Sequence, residues 1–563
     1  MALLIKLIFE TTSGRTLRHF EDSCRHAVKT QKDLLARLIS DNARTSFGRA
    51  HNFKSILSSA DYRHAVPLSD YDSLFPYIEA AMNGSPAQLT ESPPIFFSVT
   101  SGTTGASKYI PVTKESRSSK SRTMRTFLSG LYHDHPDVFD GRILTVVSPE
   151  IQSYTPSGIP CGSESGYTYR NMPVFLRALY SSAYEVYEIE DYEARYYTLM
   201  RIAAGQDIRM MYIINPSTIL LMAQVLGKYS RSIIDDIRRG TLSADFKVHE
   251  RIRDTIVKEL KPDPRRADYL EHAISQDGGV LSPDNVWPKL AAICCWRGGN
   301  VAFYIEKIAP FFRSGTSIRD IGYLASEHRS SVPFDDNDPS GPLDMNANFY
   351  EFIPAEKERP FGDLETLDAH MLEPGKQYYV IISNHAGLYR YDMDDIIEVT
   401  DYYHESPCIR FVQKGKGASS YTGEKLYEGQ IVEAVSHAFK TRQGRYEFIA
   451  AVGEIRGDSP TYIFLMEFDE PCSDEECRAH LAELERKLRL NNVEYAAKRE
   501  SLRISPPVLR IIKKGQFEEY RKRKVEAGRP DSQFKIVRLT PDASFMEEFA
   551  YEREIGLDTE NSQ

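Results

Sequence analysis

From about residue 142 to residue 383 the chain alternates short β-rich runs with helical stretches, and this alternation limits the fold more than any other feature. The runs at 142–148, 208–214, 289–295 and 378–383 are each a few residues long and largely apolar, as buried strands are. Strands separated by helices pack into layers, so an α/β body of several hundred residues is expected. Ahead of them, residues 15–43 carry a helical pattern in which Leu34, Leu35, Leu38 and Ile39 share one apolar face. Residues 3–9 are apolar but too few to span a bilayer, and they lack a basic leader or a small-residue cleavage site. They read as part of a helix docked on the body, with no membrane partner.

A chain of 563 residues corresponds to roughly two to four structural units. With 41% apolar and 27% charged residues it has the composition of a folded globular protein. Lys and Arg number 70 against 80 Asp and Glu, and the net charge of -10 would repel a polyanionic backbone. Nucleic acid is therefore not an expected partner. The seven cysteines are odd in number, show no C-x-x-C spacing and do not cluster with histidines. That pattern fits a reducing, cytoplasmic compartment. The adjacent Cys294 and Cys295, within an apolar run, read as small buried hydrophobes.

A change of character marks a second unit. Lys414-Gly415-Lys416-Gly417 supplies two glycines at a natural hinge. Strands are expected at 446–452 and 461–468, followed by a helix from Asp474. Ser473 and Glu476 have the spacing of a capping box, and Cys477, Leu481, Leu484 and Leu488 form a buried stripe. The expected organisation is a large α/β domain over 1–413, a hinge at 414–417 and a small α+β domain over 418–563. Residues 328–348 are rich in Asp, Asn, Ser and Pro and read as a surface loop.

The segment with the most chemistry follows the β-like run Ile95 to Val99. It is Thr100-Ser101-Gly102-Thr103-Thr104-Gly105-Ala106-Ser107-Lys108, and Tyr109-Ile110-Pro111-Val112 comes after it. Hydroxyls, glycines and a lysine in nine residues can offer backbone N–H groups and a positive charge to a polyphosphate. Gly102 and Gly105 are too close together for a Walker loop, and a strand, not a helix, follows. The residues alone leave two readings open, a phosphate-binding loop or a surface turn of Gly, Ser and Thr.

This loop resembles the Ser-Gly-Thr-Thr-Gly-x-x-Lys signature of adenylate-forming enzymes. Its Lys-Tyr-Ile-Pro continuation is similar, more narrowly, to the Gretchen Hagen family of auxin-responsive acyl-acid amido synthetases. Pro67-Leu68-Ser69-Asp70-Tyr71-Asp72, Pro76-Tyr77-Ile78, Phe349-Tyr350-Glu351-Phe352-Ile353-Pro354 and Gln533-Phe534-Lys535 resemble further landmarks of that family, in the same order. The resemblance covers nearly the whole chain. It implies a large multi-layer domain of adenylate-forming type with a smaller mobile domain, and a two-step reaction that consumes ATP. A carboxylic acid would be activated as its adenylate, with release of pyrophosphate, and the acyl group then passed to an amine, an amino acid, to form an amide.

The same resemblance implies roles for single residues. Ser101, Gly102, Thr103, Thr104, Gly105 and Lys108 would hold phosphates. In Tyr323-Leu324-Ala325-Ser326-Glu327, the tyrosine would stack on the purine, Ser326 would donate to the α-phosphate, and Glu327 would bind Mg2+ through a hard oxygen. By themselves a tyrosine and a glutamate at this spacing are usually a packed ring and a solvated charge, and only the family order reverses that reading. In Gly387-Leu388-Tyr389-Arg390-Tyr391-Asp392-Met393-Asp394-Asp395, Asp395 would accept from both ribose hydroxyls, with Arg390 a nearby cation. Plant members commonly read Tyr-Arg-Val-Gly-Asp here, so Asp392 and Asp394 replace an arginine and a glycine. Asp394 is then either a surface residue or a rival for the role of Asp395.

Lys535, on the mobile domain, would offset charge during adenylation and withdraw for the second half-reaction. Trp296, Arg297 and Tyr304 resemble the acid-pocket segment, where Arg297 could pair with a second charged group on the acid. The sequence has no G-x-S-x-G elbow and no H-E-x-x-H helix, in line with chemistry that needs no protein nucleophile. Two other readings stay open: an acid–thiol ligase that passes the acyl group to coenzyme A or a carrier protein, and a non-catalytic acyl-binding relative.

Overall fold

The structure, a computed structural model, describes residues 2–101, 107–276, 279–298, 302–357, 365–415, 418–419, 426–442, 446–456, 459–500, 504–526, 536–540 and 542–557. The chain divides into two units. The first comprises Met1–Gly298 and Phe311–Phe411, and the second Gly299–Pro310 and Val412–Gln563. Of the hinge expected at 414–417, residues 416 and 417 lie outside the described residues.

Three sheets build the first unit. Strands β1 (Phe96–Ser101) and β2 (Ser107–Val112) form an antiparallel hairpin with Ser101 opposite Ser107. Beside β1 lie β5 (Pro160–Gly162) and then β4 (Ser153–Tyr154). The second sheet is all-parallel, in the order β3 (Arg142–Thr145), β6 (Ile208–Tyr212), β7 (Ala292–Cys295) and β8 (Ser317–Asp320). A parallel sheet is covered on both faces, and all four residues of β7 are buried. Cys294 and Cys295 are in that strand, and burial pushes their thiols up, Cys294 to about 12. The third sheet runs β11 (Leu367–Asp368), β10 (Phe349–Pro354), β12 (Gln377–Ser383), β13 (Tyr391–Tyr403), β14 (Ser406–Lys414), β9 (Gly341–Pro342).

The second unit holds a five-stranded sheet in the order β20 (Leu539–Thr540), β17 (Tyr446–Arg456), β18 (Ser459–Phe468), β19 (Val508–Ile512), β21 (Tyr551–Gly556). A two-stranded ribbon, β15 (Ala418–Ser419) with β16 (Leu426–Tyr427), belongs to it as well. The helix Asp474–Asn491 buries Cys477, Leu481, Leu484 and Leu488, the stripe read from the sequence. Only half of the expected capping box forms. Ser473 Oγ accepts from the Glu476 N–H at 3.2 Å, but the Glu476 carboxylate accepts from Arg442 at 2.7 Å.

Three other expectations need correction. The helical stretch 15–43 is two helices, Ala2–Arg25 and Ala27–Asp41, broken at His26. The N-terminal run docks through Phe9, whose ring lies 4.6 Å from that of Phe139, whereas Leu7 and Ile8 are exposed. Residues 328–348 are surface loop only over 334–340, and the rest is buried except for the half-buried Asn346. Their polar side chains are tolerated inside because they are bonded. Thr123 donates to Asp344 Oδ2 at 2.6 Å, and Asn348 Nδ2 donates to Ser330 Oγ and to the Tyr350 hydroxyl, both at 3.1 Å.

Candidate functional site

Ligands of parallel α/β sheets gather at the carboxyl ends of the strands. Here β7 leads directly into Trp296 and Arg297, and β8 into Gly322 and Tyr323. The turn after β8 requires glycine. Gly322 has φ +84, and a Cβ there would stand 2.3 Å from the Ser331 carbonyl oxygen. Asp320, the last residue of β8, fastens the turn by accepting from the N–H groups of Arg297 at 2.6 Å and Gly322 at 2.7 Å. Burial nonetheless pushes its carboxyl up to about 6. The folded protein thus keeps a proton that an unfolded chain releases near pH 4. The resulting stability is full below about pH 4 and lost as pH rises through about 6. Unfolding of wild type across that range should show this slope, on the order of 2–3 kcal/mol, and Asp320→Asn should lack it. Parallel profiles for the two proteins would contradict the assignment.

Tyr323 and Asp395 meet. The tyrosine hydroxyl donates to Asp395 Oδ2 at 2.7 Å, both residues are buried, and the phenol's pKa is driven up by burial and then by the Asp395 charge. The Tyr323 ring also stacks on Phe411, with centroids 6.2 Å apart and planes at 15°. Asp395 reaches this position through a bulge. Asp392 pairs with Ile381 and Ile396 with Tyr379, so β13 carries extra residues between them, which turns a side chain that regular alternation would direct elsewhere. Asp394 sits within the bulge at φ +54, and its N–H donates to Asp392 Oδ1 at 2.9 Å. The two acids that depart from the Tyr-Arg-Val-Gly-Asp pattern therefore act together. One adopts the left-handed backbone that glycine adopts freely, and the other bonds the N–H that this exposes. Asp394→Gly should raise stability by up to about 1 kcal/mol in urea unfolding, and a loss would contradict this account.

Glu327 is partly exposed. Its carbonyl accepts from Asn384 Nδ2 at 3.0 Å, while its carboxylate makes no hydrogen bond or ion pair among the described residues. Its charge reaches both Tyr323 and Tyr391. Tyr391 ties the motifs together: besides burial, its hydroxyl feels Glu327, Asp70, Tyr71 and Asp395. Tyr71 in turn carries the Lys108 ammonium 5.4 Å from its ring centroid and accepts from the Tyr109 N–H at 2.9 Å. Lys108, Tyr323, Glu327 and Asp395 thus border one region. Gly102, Thr103, Thr104 and Gly105 lie outside the described residues, as does Lys535, and the side chain of Ser101 is likewise not described.

The Ser326 carbonyl accepts from Lys120 Nζ at 2.5 Å, and that ammonium also bridges the Glu164 carboxylate at 2.8 and 2.9 Å. Arg390 is buried with its charge on Glu351, Nε lying 3.2 and 3.1 Å from the two oxygens. Its Nη1 donates to the carbonyls of Arg63 and Val66, so the cation expected at the nucleotide is committed to the sheet. Trp296 donates its indole N–H to the Gly322 carbonyl at 3.3 Å. Arg297 Nη1 donates to the carbonyls of Ile318, at 3.0 Å, and Asp336. Tyr304, expected beside them, belongs to the second unit. Its hydroxyl donates to Glu447 at 2.9 Å and accepts from Arg538 at 3.0 Å. The sequence reading missed Lys120, Glu164 and Asp320, single charges that no spacing distinguishes, and gave Glu351 no role beyond its place in the 349–354 landmark.

The donor set suits the groups expected here. Mg2+ is held by one or two carboxylates together with substrate phosphates, and an uncommitted, partly exposed carboxylate such as that of Glu327 meets that need. Among the described residues no three His, Cys, Asp or Glu side chains cluster as an all-protein metal site, and no helix is long and apolar enough to cross a membrane.

Comparison with known proteins identifies the fold as that of an acid-activating ligase. Residues 16–317 match the GH3 family N-terminal domain, 341–414 the GH3 family central domain and 429–544 the GH3 family C-terminal domain. The indole-3-acetic acid-amido synthetase GH3.3 of Arabidopsis thaliana is 25% identical, over 95% of this chain and 93% of that protein. The jasmonoyl–L-amino acid synthetase GH3.5 of Oryza sativa subsp. japonica is also 25% identical, over 93% and 94%. The solved GH3.15 acyl acid amido synthetase superposes with a TM-score of 0.84 at 20% identity, covering 96% of this chain and 97% of that one. The chain belongs to the GH3 family. It is an ATP-dependent acyl acid–amino acid ligase, which adenylates an acid and conjugates it to an amino acid.

Proposed function

We propose that the region bordered by Lys108, Tyr323, Glu327 and Asp395 holds ATP for that adenylation, with Mg2+ on Glu327. The reading is carried by one observation: the Tyr323–Asp395 hydrogen bond sits beside a carboxylate with no protein partner among the described residues. Asp395 accepts from the ribose, the Tyr323 ring borders the purine, and Ser326 faces the α-phosphate. The loop at 101–105 and Lys108 receive the remaining phosphates. Mg2+, when bound, neutralises charge on the phosphates that leave as pyrophosphate. Arg390 acts from behind, holding β10 and β13 together through Glu351.

A carboxylate is a poor acyl donor because its leaving group would be oxide. Attack by the acid on the α-phosphorus of ATP forms an acyl–phosphate bond and breaks the bond to pyrophosphate. The amine then attacks the acyl carbon and AMP departs. Both steps need positioning and charge neutralisation more than a protein nucleophile. Lys535 supplies further positive charge in the first step, a role supported by its place in the Gln533-Phe534-Lys535 landmark.

An acceptor panel tests the reading against the thiol-ligase alternative. With an acid that supports adenylation, amino acids should yield amide and AMP, and coenzyme A should yield no thioester. Thioester formation without amide would overturn the choice of acceptor.

A further inference from the structure

Arg329 lies two residues beyond Glu327 and is only 9% exposed. Its guanidinium donates from Nη1 to the Tyr212 hydroxyl and from Nη2 to the Ile321 carbonyl, both at 3.1 Å. It also lies over the Phe127 ring, 5.6 Å from the centroid. Its Nε is buried and makes no hydrogen bond, and among the described residues no carboxylate lies within ion-pair distance. Arg319, on neighbouring β8, shows the contrast, pairing with Asp134 at 2.9 Å and Asp336 at 2.7 Å.

A buried cation is costly unless an anion compensates it, and a hydroxyl and a carbonyl do so only in part. Each terminal nitrogen of Arg329 has an N–H left over, so the guanidinium keeps charged donors for an anion. The surroundings are otherwise apolar. Phe127, Ile321 and Cys294 are buried in one hydrophobic cluster, against which Tyr212, Trp296 and Leu324 pack partly exposed. Apolar surroundings with one charged anchor are how a small molecule is both bound and oriented.

We propose that Arg329 is the counter-ion for a second carboxylate on the acid substrate, so that this ligase selects dicarboxylic acids. The inference rests on the ligase reading above. One carboxylate is adenylated, giving acyl-AMP and pyrophosphate, and the other stays ionised against Arg329 without reacting. It also moves the recognition of a second charge, expected of Arg297, to Arg329.

Acid-dependent exchange of labelled pyrophosphate into ATP, run with matched pairs such as adipate with hexanoate and terephthalate with benzoate, tests this. Wild type should favour the dicarboxylate member of at least one pair by about tenfold or more in kcat/KM. Arg329→Met should lower kcat/KM for that dicarboxylate by roughly 30-fold or more, as loss of one partner of a buried charge pair does. Its monocarboxylate partner should keep a rate within about threefold, since it never used that charge. Arg329→Lys should recover part of the preference. Equal or better use of monocarboxylates by wild type would overturn the proposal, as would equal losses for both members in Arg329→Met. Because the wild-type comparison decides by itself, a variant that does not fold leaves the test intact. Absence of exchange with every acid would instead count against the ligase reading.

Discussion

Glu327→Gln should slow acyl-adenylate formation by about 10²- to 10³-fold, the usual cost of removing one well-placed group that stabilises developing charge. Glutamine has nearly the same size and still offers a carbonyl oxygen, but it has no negative charge to hold a divalent cation. Because the Glu327 carboxylate makes no hydrogen bond or ion pair among the described residues, nothing in the folded chain should miss it. The unfolding midpoint should therefore stay within the usual scatter for surface substitutions, about 0.5 kcal/mol. Raising Mg2+ should recover part of the lost rate, because the defect lies in cation affinity. A rate close to wild type would remove Glu327 from the reaction.

Glu351→Ala should act in the opposite way, on stability before chemistry. Glu351 is 1% exposed and takes hydrogen bonds from Arg63 at 3.1 Å, from Arg390 and from Thr366 at 2.5 Å. Truncating it leaves the buried Arg390 guanidinium uncompensated, which costs about 3–5 kcal/mol. Replacing Glu351 and Arg390 together by methionine should cost less than Glu351→Ala alone, since no stranded charge would remain. Urea unfolding of the three proteins measures this, and a single variant within about 1 kcal/mol of wild type would contradict the pairing.

This pair also shows what a sequence displays and what it hides. The run at 378–383 and the three runs of the parallel sheet were legible because strand character is local, apolar and short. At the strand ends the reading ran over: 142–148 becomes Arg142–Thr145 and 208–214 becomes Ile208–Tyr212. The apolar pattern continues there, but the backbone has already turned towards the site. Tyr323, Glu327 and Asp395 could be singled out because they fall within compact motifs. Their meeting depends on the bulge in β13, which only tertiary pairing reveals. Landmarks such as 67–72 were recognisable without their purpose being so. Ser69 bonds the backbone on both sides of Arg390, its hydroxyl donating to the Tyr389 carbonyl at 2.6 Å and its carbonyl accepting from the Asp392 N–H at 2.8 Å.

Arg390 and Tyr304 illustrate the reverse. Nearness in sequence to a motif suggested a place at the ligand for each. Partners far along the chain, Glu351 and Glu447, instead hold them within the protein. Long-range pairing of this kind leaves no periodic trace, and neither does the uncompensated charge of Arg329.

Exchange of labelled pyrophosphate into ATP across a broad panel of carboxylic acids tests the central claim most directly. The account predicts label in ATP only when an acid and Mg2+ are both present, with Glu327→Gln and Asp395→Ala both strongly impaired. No exchange with any acid, or exchange that continues without one, would contradict it.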